Sequence, residues 1–108
     1  GTITLLWQIN DVPGLQVQDL EGKWHEVPYE DDAVVVNIGD LLQRWTNDYF
    51  VSTKHRVVNT HIHKERYSMP HFVDPTPGTI ISNFRDEPAK YDPIESKAYL
   101  MWRLSQSY

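Results

Sequence analysis

The sequence contains no cysteine, which excludes a disulfide frame and any thiolate metal site and fits a reducing compartment. Basic residues are scarce: ten Lys and Arg stand against fifteen Asp and Glu, a formal net charge of -5 at pH 7. A surface of that sign has no general attraction for phosphate backbones or anionic lipid, so neither nucleic acid nor a membrane surface is expected as a partner. No apolar run approaches the roughly 20 residues of a membrane span, and no basic-then-apolar leader is read at Gly1, so a cytoplasmic protein is expected. Internal repeats and low-complexity tracts are missing as well. With 40% apolar and 23% charged residues in 108, the composition is that of a globular domain, one that buries about two-thirds of its unfolded surface.

What is present is strand signal: short β-branched and aromatic runs, broken by Gly, Pro and Asp about every ten residues. Gly1-Thr2-Ile3-Thr4-Leu5-Leu6-Trp7-Gln8 opens at full hydrophobicity, without the polar lead-in usual at chain ends, and is therefore expected to be a piece of a longer chain. Asp11-Val12-Pro13-Gly14 predicts a turn in which Pro presets one dihedral and Gly accepts the next. Leu15–Asp19 and Lys23–Val27 predict a hairpin with one wet face. Ala33–Ile38 is an unbroken apolar run, expected to be covered on both faces. Asp40–Trp45 predicts a short helix with Asp40 as its N-cap. Strands are expected over Val51–Asn59, Glu65–Val73 and Ile80–Ile81, and an amphipathic helix over Ile94–Tyr108, with Ala98, Leu100, Met101, Leu104 and Tyr108 near helical spacing. The class is all-β with a short internal helix and a C-terminal helix, a barrel or jelly-roll rather than a βαβ fold.

Histidines stand at 25, 55, 61, 63 and 71. His61 and His63 share a strand face by period two, but they sit in a polar connector with no third ligand nearby, so solvent exposure is the expectation for them and for His25. His55 differs: it follows Ser52-Thr53-Lys54 and opens Arg56-Val57-Val58, placing an imidazole at the mouth of an apolar strand, where a β-barrel can hold a metal. Eleven residues on, Arg66 and Ser68 stand two apart, on one face of the next strand. A guanidinium fork with a neighbouring hydroxyl is a cradle for a carboxylate, since two N–H donors fit both oxygens and the hydroxyl adds a third. From spacing alone, an arginine in a surface ion pair is the commoner reading. Period two carries the same face on to Phe72, with His71 pointing the other way.

Taken together, the blocks Gly1–Leu6, Gly14-Leu15-Gln16-Val17, Asn37-Ile38-Gly39-Asp40, Thr46-Asn47, Ser52-Thr53-Lys54-His55-Arg56-Val57 and Arg66-Tyr67-Ser68-Met69-Pro70 resemble the isopenicillin-N-synthase-like iron(II)/2-oxoglutarate-dependent dioxygenases across essentially the whole chain. The resemblance implies a double-stranded β-helix, or jelly-roll, whose mouth holds Fe(II) on two histidines and a carboxylate. His55 matches the distal histidine. Arg66 and Ser68 match the pair that binds the far carboxylate of 2-oxoglutarate, and Leu6, Val57 and Phe72 fall where the family lines its substrate pocket. The family's H-x-D motif is expected immediately before Gly1, so residues 1–108 are expected to be the C-terminal portion of one catalytic domain, inactive alone and partnered by the remainder of that domain. The implied activity is oxidation of a small organic substrate with O2 and 2-oxoglutarate, by hydroxylation or desaturation, releasing succinate and CO2. Alternatives are an oxidase of the same family that dispenses with 2-oxoglutarate, and a metal-free jelly-roll binding module. A hydrolase is disfavoured, because no serine or histidine sits in a nucleophile-elbow setting.

Overall fold

The computed structural model describes residues 1–59, 61 and 63–107, the side chain of Ser107 excepted. Eight strands and two helices follow in order: β1 (Ile3–Gln8), β2 (Leu15–Gln18), β3 (Trp24–Glu26), β4 (Val35–Ile38), α1 (Asp40–Trp45), β5 (His55–Val57), β6 (Ser68–Val73), β7 (Ile80–Ile81), β8 (Ile94–Glu95) and α2 (Ser96–Ser107). They form sheets ordered β4-β1-β6, β3-β2-β5 and β7-β8. Pro70, which has no N–H to give a ladder, lies in β6 at the end of its sheet, where a strand proline is tolerated. The chain divides into two compact units, one of Gly1–Ile3, Ile38–Ser52 and Phe72 onward, the other of Thr4–Asn37 and Thr53–His71.

The first unit is built around Leu41, Ile81 and Tyr99, with Trp45 and Ile94 packed against them. Its short helix does not start as the sequence suggests. Gly39, extended at φ -96° and ψ 169°, is the N-cap of α1, and Asp40 is the first helical residue, its carboxylate paired with Arg103 at 2.5 Å. Glycine is required at 39 because a Cβ there would run into the Gly1 carbonyl, the backbone that accepts from the Leu41 N–H at 3.2 Å. Gly39→Ala is therefore expected to destabilise the protein by about 1–3 kcal/mol, measured as a lower denaturation midpoint at unchanged slope. At the helix's other end Asn47 (φ 55°) and Asp48 (φ 67°) take left-handed conformations. The buried Asn47 amide then donates to the Pro88 carbonyl at 3.0 Å and accepts from the Lys90 N–H at 2.7 Å. This tie organises the polar stretch before β8.

The C-terminal helix also differs from expectation. Ile94 is taken by the β7 ladder, opposite Ile81, so α2 begins only at Ser96, and Tyr108 lies outside the described residues. Tyr99 and Ser96 are its buried residues, while Leu100, Met101, Trp102 and Leu104 are exposed; the buried face is the one that meets β7 and α1, not the one with the most apolar residues. Glu95 joins strand to helix. Its carboxylate accepts from the N–H groups of Gly78 (2.6 Å), Lys97 (2.9 Å) and Ala98 (2.7 Å). Those backbone donors, Lys97 first, hold its pKa down to about 2 from 4.5. A carboxylate with a depressed folded pKa adds stability that is complete above about pH 4.5 and is lost as pH falls toward 2. Glu95→Gln should abolish that acid dependence of α2, read as the pH profile of helical circular dichroism.

The second unit is organised by the β3-β2-β5 sheet, both pairings antiparallel. Gly22, at φ 88°, makes the β2–β3 turn, and Asp19 closes it by accepting from the Glu21 and Lys23 N–H groups at 2.9 Å. Val12 and Leu15 are buried here. The strand expected over Val51–Asn59 is reduced to the three residues of β5. Ser52 N–H is captured instead by the Gln43 side chain at 2.8 Å, and a ladder cannot run through a segment whose donors are taken elsewhere. The run at Ala33–Ile38 is not covered on both faces: Val36 is 58% exposed, so one face of β4 is open among the described residues. No helix among the described residues is long and apolar enough to cross a membrane.

Candidate functional site

Register fixes the position of His55. Val17 stands opposite His55 on one side and His25 on the other, and Leu15 stands opposite Val57. Directly paired residues share a face, so His55 and Val57 lie on the face of Leu15 and Val17. On the opposite face Arg56 stacks over the Trp24 ring at 4.1 Å, and its Nε donates to Gln16 at 2.8 Å. This latch sets β5 against β2 and thereby turns His55 to the other side. His55 is exposed, and its Nδ1 lies 3.3 Å from the Thr53 carbonyl. A proton on Nδ1 given to that oxygen leaves the Nε2 lone pair directed outward, the usual arrangement of a metal-binding imidazole. His25 is otherwise engaged: it pairs with Asp19 at 2.7 Å, and that bond, ahead of the Lys23 N–H, lowers the Asp19 pKa. His63 and His71 are exposed and His61 is half-buried.

Arg66 and Tyr67 precede β6 rather than lying within it, so the strand expected over Glu65–Val73 is shorter at its start. The Arg66 side chain is nonetheless held along its length. Its Nη2 donates to Gln8 Oε1 at 3.2 Å and its Nη1 reaches Ser68 Oγ at 3.5 Å. Its Nε is buried with no hydrogen-bond partner among the described residues. A Cβ on Gly14 would sit 3.1 Å from Arg66 Cδ and 3.2 Å from the Val58 carbonyl. Gly14 is thus crowded by two groups, and it lacks the positive φ of a turn glycine; the positive-φ glycines are Gly22 and Gly78. Arg66 borders an open cavity of about 520 Å³, together with Pro13, Val57, Val58, Lys64 and Tyr67. The Tyr67 hydroxyl donates to Glu65, which raises the Tyr67 pKa.

The structure thus joins Arg66 to Ser68 and sets Val57 and Arg66 on one cavity. Leu6 is half-buried in β1. Phe72, 63% exposed, belongs to the other unit. Gln8 and Asn10, which meet the Arg66 segment, escape the sequence reading; the only cue is that each is an amide at the end of an apolar strand.

A guanidinium fork beside a hydroxyl, on a side chain that borders a cavity, suits a carboxylate. Metal binding is a different matter. No group of three His, Asp or Glu that could hold a metal exists among the described residues, so these residues do not by themselves form a complete metal centre.

Residues 1–75 match the 2OG-Fe(II) oxygenase superfamily. The chain is 35% identical over 120 residues to the 2-oxoglutarate-Fe(II) type oxidoreductase ppzD of Metarhizium rileyi, covering 100% of this chain and 34% of that protein. It is 38% identical over 122 residues to the proline hydroxylase buaE of Petromyces alliaceus, again over 100% of the chain and 38% of the relative. Among solved structures, a full-length Neurospora crassa protein in complex with alpha-KG and thymine superposes with a TM-score of 0.88 at 38% identity, over 100% of this chain and 35% of that one. The chain belongs to the 2OG-Fe(II) oxygenase superfamily, a family of oxidoreductases, and its strands are those of the jelly-roll fold. It spans about a third of the length of the relatives it matches.

Proposed function

We propose that the protein to which this chain belongs is an Fe(II)/2-oxoglutarate-dependent dioxygenase that hydroxylates or desaturates a small organic substrate. In this reading residues 1–108 are the C-terminal portion of its catalytic domain, and the two remaining metal ligands lie upstream of Gly1. The observation that carries the reading is the placement of Arg66: a guanidinium aimed by Gln8, next to the Ser68 hydroxyl, on a side chain that borders an open cavity. Such a fork, with no acidic partner among the ion pairs of the described residues, suits a bidentate carboxylate.

When bound, iron(II) and 2-oxoglutarate supply the oxidising chemistry, with succinate and CO2 as products. The chain's part is to hold and orient. His55 Nε2 is one metal ligand. Arg66 and Ser68 bind the far carboxylate of 2-oxoglutarate, which fixes the opposite end of the molecule and lowers the entropic cost of reaction. Leu6, Val57 and Phe72 are the apolar residues assigned to contact with the substrate. The exposure of Val57 at 59% and Phe72 at 63% fits surfaces that the rest of a catalytic domain or a substrate covers. A small substrate agrees with the thymine bound by the Neurospora crassa protein and with the proline hydroxylase relative.

The test is an anaerobic titration of the full-length protein with Fe(II) and then 2-oxoglutarate. A weak visible charge-transfer absorbance requiring both is the expected result. Iron binding without any such band, in protein that releases no succinate on turnover, would overturn the reading.

A further inference from the structure

Arg66 occupies a gap between regular elements: β1 has ended at Gln8 and β6 does not begin until Ser68. A residue outside a ladder ordinarily has a loose main chain. Here it does not. Asn10 Nδ2 donates to the Glu65 carbonyl at 2.7 Å, and Asn10 Oδ1 accepts from the Tyr67 N–H at 2.9 Å. The Ile9 N–H adds a bond to the Tyr67 carbonyl at 2.9 Å. One side chain thus grips the backbone on both sides of Arg66, doing for it what a neighbouring strand would do. A carboxamide has a donor and an acceptor fixed in one plane, close together and without charge. An aspartate there keeps the shape and the acceptor but loses the bond to Glu65.

The rest of the chain around Arg66 serves the same end. Gly14 packs beneath its Cδ. Gln8 accepts from its Nη2, and the Gln8 amide is itself oriented by donating to the Pro28 carbonyl at 3.3 Å. With backbone, stem and tip each constrained, a side chain with about 2 kcal/mol of rotamer entropy is directed to one place.

We propose that Asn10 is a positioning residue that sets where the Arg66 guanidinium stands, and hence which length of 2-oxo dicarboxylate the site accepts. The proposal rests on the reading of Arg66 as the carboxylate anchor. It is tested in the full-length protein by calorimetric titration of anaerobic, Fe(II)-loaded Asn10→Ala, Asn10→Asp and Arg66→Ala variants, and of the Asn10→Ala/Arg66→Ala double variant, with 2-oxoglutarate and its one-carbon-longer homologue 2-oxoadipate. Asn10→Ala and Asn10→Asp should each weaken 2-oxoglutarate about tenfold and shrink its preference over 2-oxoadipate. Fe(II) affinity and circular dichroism should be unchanged, and on the Arg66→Ala background the Asn10 change should add nothing, because its effect runs through that side chain. If Asn10→Ala does not fold, Asn10→Asp decides the question alone, through the same affinity and length preference. An equal loss with and without Arg66, or a loss of both dicarboxylates in proportion, overturns the positioning role while leaving the anchor intact. An Arg66→Ala variant that binds 2-oxoglutarate normally overturns the anchor reading, and the positioning role with it.

Discussion

Arg66→Ala is expected to raise the 2-oxoglutarate concentration needed for half-saturation about 10- to 100-fold while leaving Fe(II) affinity largely intact. The magnitude follows from the bond removed. A charge-assisted contact to a carboxylate contributes about 1.5–3 kcal/mol, and each 1.4 kcal/mol is a factor of ten in affinity. Arg66 is half-buried and has no acidic partner among the ion pairs of the described residues, so its loss frees no carboxylate elsewhere. Arg66→Lys should recover little: a lysine is a point charge without a fork and cannot bond Gln8 and a carboxylate in the same plane. Titration of cosubstrate at fixed iron measures this. Unchanged dependence on 2-oxoglutarate would place the carboxylate site elsewhere.

His55→Ala is expected to abolish turnover by removing the metal. Loss of an outer partner to a metal ligand already costs 10- to 100-fold in affinity, so loss of the ligand itself should exceed about 100-fold. The side chain is exposed and, among the described residues, bonds locally to the Thr53 carbonyl, so alanine leaves no cavity and the β3-β2-β5 sheet should persist. Iron content after equilibrium dialysis, taken with an unchanged unfolding midpoint, separates metal loss from misfolding. Full turnover at stoichiometric iron would exclude His55 from the metal centre.

How much of this was readable from the residues alone depends on whether the cause was local. The β2–β3 hairpin was legible because alternation and turn chemistry lie within a dozen residues: Leu15 and Val17 face one way, Gly22 supplies the left-handed turn. Arg66 and Ser68 were legible as a pair for the same reason, being two residues apart. The shortening of β5 was not, because it depends on Gln43 taking the Ser52 N–H, nine residues away. Nor was the start of α2, where Ile94 answers to Ile81 in a ladder and only then hands the chain to the Glu95 cap. Gly39 and Gly14 looked like punctuation, yet both are close-approach sites whose crowding atoms come from Gly1 and Arg66. Gln8 and Asn10 lie more than fifty residues from Arg66, and no pattern in a single sequence announces a side chain that grips a distant backbone. The role proposed for His55 rests on the family blocks; a lone exposed histidine does not announce one.

The latch of Arg56 on Trp24 has a thermodynamic consequence. His55 stands on a strand of only three residues, all exposed, whose register depends on β2 and on that stacked pair. A segment so thinly anchored opens by local unfolding well below the free energy of global unfolding. Any ion bound through His55 favours the closed form by mass action. Metal occupancy and hydrogen-exchange protection of Val57 and its β2 neighbours should then rise together, and the indole of Trp24 becomes a fluorescent gauge of whether the strand is seated.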